Sequence, residues 1–99
     1  MTDRGILRIA REFRSGILGS GSSAKMCAMV CYPLESLFSC VGLEVRCVEV
    51  ALDRTNHVFL ALPDGRVLDP TADQFGGPAV YLGPPLSYHR NREKTENRD

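Results

Sequence analysis

A histidine and an aspartate separated by one tight turn are the pair whose types and spacing point to chemistry. They lie in NHVFLALPDGRVLDPTADQF, residues 56–75. His57 opens an apolar stretch that runs to Leu62, Pro63-Asp64-Gly65 turns the chain, and Arg66-Val67-Leu68-Asp69 returns. A three-residue loop suits that spelling. Pro63 presets φ, Asp64 tolerates the second position of a type I turn, and Gly65 takes the positive φ that follows. The loop length sets the register: Leu62 faces Arg66, Leu60 faces Leu68, and His57 faces Thr71. His57, Phe59, Ala61, Val67, Asp69 and Thr71 then share one face. Asp69 becomes the diagonal neighbour of His57, about 7 Å away along the backbone and within side-chain reach. A two-residue Asp64-Gly65 loop would put Asp69 on the opposite face. An imidazole oriented by a carboxylate is two parts of a nucleophilic triad.

The third part is a thiol or hydroxyl. Four cysteines are present, Cys27, Cys31, Cys40 and Cys47. Cys27 is the best placed. The small-residue loop Gly19 to Ser23 leads into a helix expected from about Ala24 to Val41, with Ser22 or Ser23 as N-cap. Cys27 falls in its first turn, where unpaired N–H groups and the helix dipole favour a thiolate and offer donors to an oxyanion. Lys25 adds a nearby positive charge. Cys31 is one turn deeper, Cys40 lies near the helix end where the dipole disfavours a thiolate, and Cys47 is mid-strand. A cysteine on an apolar helix face is commonly a core residue, and a histidine at a strand start is often an exposed edge residue. The order of cysteine on a helix, then histidine and aspartate on adjacent strands, lifts the functional reading above those separate expectations.

These residues need elements to position them. Residues 3–18 carry Ile6, Leu7, Ile9, Ala10, Phe13 and Ile17 as an apolar stripe opposite Arg8, Arg11, Glu12 and Arg14, which spells an amphipathic helix capped by Thr2 or Asp3. In the second helix Pro33 should kink the chain, and Gly42 fits the C-terminal stop. Leu43 to Leu52 reads as a strand whose alternation changes phase near Cys47, through a bulge or because its halves pack against different neighbours. The hairpin supplies two more strands, His57–Leu62 and Arg66–Asp69. Residues 78–85 are interrupted by prolines and read as an extended wrap anchored by Tyr81 and Leu82. From His89 to Asp99 the chain is nearly all polar or charged and is expected to be disordered. The expectation is one α+β domain over 1–88, two helices on a small three-stranded antiparallel sheet, with His57 pointing toward the start of the second helix. Asp73 and Gln74 read either as a turn cap, the favoured reading, or as residues that support the site from behind.

Whole-chain properties narrow the function. Ninety-nine residues make one domain, and twelve basic residues balance twelve acidic ones, so net charge argues neither for nucleic acid nor for acidic membrane surfaces, and neither is expected as a partner. No apolar run approaches a membrane span, and the charged N-terminus does not spell a secretory signal, so a reducing, cytoplasmic location is expected. Disulfides are then not expected, and the cysteine spacing does not match zinc ladders.

The segments KMCAMVCYPLESL, NHVFLALPDGR and VLDPTADQF resemble the transglutaminase-like branch of the papain-like cysteine enzymes, over about residues 19–81. That family places a cysteine at a helix start, a histidine opening a strand, and an aspartate ending the next. Here Phe59 stands where a tryptophan is frequent, and the chain contains no tryptophan. The resemblance implies a Cys27-His57-Asp69 triad acting on a protein or peptide amide, as protease, amidase, deamidase or cross-linking enzyme, with no cofactor and no metal. Two alternatives are a non-catalytic binding module with Cys27 buried, and a zinc module using Cys27, Cys31 and His57.

Overall fold

A computed structural model describes residues 1–19, 21–52 and 55–90. The expected loop over 19–23 and the link over 53–56 therefore lie partly outside the described residues. Helix α1 spans Asp3–Leu18 and helix α2 spans Cys27–Cys40. Four strands follow, β1 (Arg46–Ala51), β2 (Asn56–Ala61), β3 (Val67–Asp69) and β4 (Tyr81–Gly83), with 3-10 turns at Ala72–Phe75 and Ser87–Arg90. The sheet is antiparallel in the order β1-β2-β3-β4. The α+β class matches the sequence reading, but the sheet has four strands, not three. The fourth forms because Tyr81 to Gly83 pair with Val67 to Asp69, leaving Pro84 and Pro85 just past the strand, where no ladder N–H is needed.

Local signals explain the helix ends. The Thr2 hydroxyl accepts the Gly5 N–H at 3.1 Å and caps α1. At the end of α2, Leu43 N–H donates to the Phe38 carbonyl and Gly42 N–H to that of Ser39, with Gly42 at φ +88°. That is the left-handed stop expected of this glycine. The helix runs on through Pro33. Its start differs from expectation: α2 begins at Cys27, and the N-cap position is Met26, with no side-chain cap. The hydroxyl of Ser23 is directed instead to the Asp73 carboxylate.

The hairpin has the expected register. Leu60 pairs with Leu68 and Ala61 with Val67, Leu62 N–H donates to the Arg66 carbonyl, and Gly65 sits at φ +91°. Strand β1 is shorter than the expected Leu43 to Leu52, and its pairing with β2 is continuous from Arg46 to Ala51, without a bulge. The phase change is a division of labour between two cores. Leu43, Val45 and Cys47 pack with Cys31, Leu34 and Phe38 of α2 among the buried residues of the helical side, where Val58, Leu60 and Leu68 also lie. Val48, Val50, Phe59 and Val67 form a second cluster with Tyr81 against it. Burying apolar area on both faces of β2 fixes the alternation, and with it the face on which His57 stands.

Candidate functional site

His57 and Asp69 meet as the hairpin register requires. The His57 Nε2 lies 2.8 Å from Asp69 Oδ2, and both residues are buried, 1% and 0% exposed. Asp69 ends β3, and its Oδ1 also accepts the Thr71 N–H at 3.1 Å, which fixes the carboxylate against the chain that follows. The Cys27 thiol interacts with the same imidazole. Nε2 is taken by Asp69, so Nδ1 is the ring nitrogen left for the thiol, and it is buried with no hydrogen-bond partner. Such contacts are often long in resting sites and tighten when a reaction begins.

Cys27 is the first residue of α2, so it stands where the backbone N–H groups lack intrahelical acceptors. Burial pushes its thiol up, but the His57 hydrogen bond and the Val58 and Ala28 N–H groups outweigh burial and hold it below its ordinary value. Burial likewise pushes the His57 imidazole down, and the Asp69 carboxylate and the Cys27 thiol reverse this, raising it to about 9. For Asp69, burial opposes ionisation, yet hydrogen bonds from His57 and His89 hold the carboxyl far below the usual range. The shifts favour a thiolate beside an imidazolium over the neutral pair, with the carboxylate ionised behind it. Lys25 is exposed and stands in the left-handed region, φ +61°.

The other cysteines are structural or remote. Cys31 is fully buried, donates its thiol to the Val58 carbonyl at 3.3 Å, and is pushed well up by burial. Burial and the Glu35 carboxylate push Cys47 to about 12. Cys40 is exposed at the far end of α2.

Two site residues were not foreseen. The chain from 89 on reads as tail, yet His89 is buried in the 3-10 turn Ser87–Arg90, and its Nε2 lies 2.8 Å from Asp69 Oδ2. Residues 91–99 lie outside the described residues. Tyr88 donates its hydroxyl to the same oxygen at 2.9 Å, and burial and the Asp69 charge push its phenol far up. The polar composition around them hides this, because their partner is distant in sequence. Phe75 meets the His57 ring edge-on at 4.8 Å and packs on Tyr88 at 4.3 Å, so the two aromatics close over the imidazole.

Asp73 is not a turn cap. Its Oδ1 accepts the Ser23 hydroxyl at 2.7 Å and its Oδ2 the Arg14 guanidinium at 2.7 Å, tying the loop before Cys27 to α1 and to the strand end that carries Asp69. Gln74 Nε2 is buried without a partner. Gln74 lines a cavity of about 390 Å³ with Ser22, Lys25 and Thr55, residues a few positions before Cys27 and His57.

Among the described residues, His57, Asp69 and His89 are the group whose ligand atoms converge, all within 4.8 Å. The expected zinc alternative, Cys27 with Cys31 and His57, does not converge in this way. Leu86 N–H donates to His89 Nδ1 at 2.9 Å, which places the proton of the neutral ring on Nε2, facing Asp69. A ligating Nε2 would have to give up that proton. The cluster is arranged as hydrogen-bond donors around a carboxylate, not as a cation site.

The fold and site together define an α+β domain with a thiol, an imidazole and a carboxylate in series. No family model, curated protein or solved structure matches the chain. No helix among the described residues is long and apolar enough to cross a membrane.

Proposed function

We propose that this chain is a thiol-dependent acyl-transfer enzyme of the transglutaminase-like kind, acting on amides through Cys27, His57 and Asp69. The observation that carries the reading is the 2.8 Å His57–Asp69 contact on a ring whose other nitrogen is left unpartnered beside a helix that starts at Cys27. Cys27 Sγ attacks the amide carbonyl carbon, and the oxygen takes the negative charge beside the N–H groups at the start of α2, which lack intrahelical acceptors. As the adduct collapses to a thioester, the C–N bond breaks and the amine leaves with the proton of His57 Nδ1. Water or a second amine then attacks the thioester and gives its proton to His57, and the C–S bond breaks as the Cys27 sulfur leaves, which restores the Cys27–His57 pair. Asp69 holds the ring in the tautomer these transfers need. The cavity bounded by Ser22, Lys25, Thr55 and Gln74 is the proposed approach for the substrate, a protein or peptide amide.

Acylation tests the reading. Treatment with p-nitrophenyl acetate should place an acetyl group on the Cys27 peptide, and Cys27→Ala and His57→Ala should each abolish it. Acetylation of another cysteine instead, or none, overturns the proposal. The near-complete burial of His57 beneath Phe75 and Tyr88 favours a second reading, a binding module that keeps the fold. A Cys27 thiol no more reactive than a model thiol would select it.

A further inference from the structure

The 3-10 turn Ser87–Arg90 directs two polar side chains at the one carboxylate that orients His57. Asp69 Oδ2 meets His57 Nε2 at 2.8 Å, His89 Nε2 at 2.8 Å and the Tyr88 hydroxyl at 2.9 Å. His89 is not a loose neighbour. Leu86 N–H holds its Nδ1, Phe59 lies edge-on at 4.5 Å, and Tyr88 packs at 4.1 Å. Its ring is thereby set in one tautomer and one orientation, with Nε2–H toward Asp69.

We propose that Tyr88 and His89 are positioning residues of this site, which share the Asp69 carboxylate with His57, hold it ionised, and limit its pull on the imidazole. The proposal rests on the reading of Cys27 and His57 as nucleophile and proton carrier. Each donor draws charge from the oxygen it binds, so a carboxylate with three side-chain donors attracts any one of them less than a carboxylate with one. The consequence is chemical. An imidazolium bound too firmly is too weak an acid to protonate a leaving amine, whereas one left without a carboxylate loses its orientation. The groups facing His57 are Cys27 from α2, Asp69 from β3 and Tyr88 from the 3-10 turn. Cys31 of α2 lies near enough to Asp69 to feel its charge, and Tyr81 of β4 stacks on His89 at 6.0 Å.

The chain has two histidines, so a His89 variant leaves His57 as the sole imidazole, and its titration by NMR needs no assignment. In His89→Phe, which keeps the bulk and removes the donor, the midpoint of His57 should rise above its wild-type position by about half a pH unit or more. His89→Gln, whose carboxamide N–H reaches the Nε2 position, should return it to the wild-type value. Tyr88→Phe loses one hydroxyl only and should raise it in the same direction, which keeps the test open if His89→Phe does not fold. A folded variant in which His57 keeps its wild-type midpoint, or falls below it, overturns the proposal. If His57 in the wild-type protein itself titrates near its ordinary value, the underlying reading of the site fails instead.

Discussion

Replacing Asp69 by asparagine asks how much of the site rests on one charge. The carboxamide keeps one acceptor oxygen and no charge, so either the Thr71 N–H or the three groups that share Oδ2 must face its NH2 donor. Leaving one side of a buried polar network unpaired costs about 3 kcal/mol or more, which urea unfolding would read. The His57 midpoint should fall from about 9, because burial would then act on the ring without the carboxylate to oppose it. The same carboxyl predicts an acid limit. Its folded value lies below the ordinary 3.8, so between the two the unfolded chain binds the proton and the folded chain does not. The stability it contributes is complete above about pH 4 and is lost as pH falls toward the folded value. Unfolding measured from pH 6 down to 3 should show this decline in the wild type, and Asp69→Asn should remove most of it.

At the scale of elements, Gly42 and Asp73 carry distinct predictions. A Cβ at Gly42 meets no neighbouring atom, but the φ of +88° is one that alanine adopts poorly. Gly42→Ala should therefore lower stability by about 1 kcal/mol through backbone strain alone, without altering thiol reactivity. Asp73→Ala should act on both. It releases Ser23 and Arg14, at a cost of about 1–3 kcal/mol for hydrogen bonds to a charge, and lets the loop before Cys27 move, slowing acylation of the thiol. The hairpin was legible because Pro63-Asp64-Gly65 names its own turn, and one turn length sets every later side chain. The start of α2 was misplaced by three residues because a serine before a helix spells a cap, while Ser23 answers to a carboxylate fifty residues away. The split packing of β1 was legible as a phase change, and only the neighbours on its two faces decide between a bulge and two cores.

For the whole molecule, the chain after β3, polar as its composition is, returns to complete the site. Strand β4 pairs with β3 and leads to Tyr88 and His89, so the C-terminal part reaches back to the carboxylate that the hairpin presents. No local pattern encodes this, since a histidine in a polar run acquires its burial only from a distant partner. Ending the chain at Leu86 should lower the thermal midpoint by about 5 °C or more, a shift worth roughly 1 kcal/mol in a domain of this size. It should also weaken the reactivity of Cys27, although no residue of the proposed triad is removed.

The central claim is that Cys27 is an activated thiol, and its sharpest test lies within the protein, because Cys40 is an exposed reference in the same chain. Limited alkylation with iodoacetamide at pH 7, with the modified peptides quantified by mass spectrometry, ranks the four cysteines directly. The account predicts that Cys27, despite being only 8% exposed, reacts about tenfold faster than Cys40 and loses that advantage in His57→Ala. Modification led by Cys40, with Cys27 unaffected by the loss of His57, would contradict it.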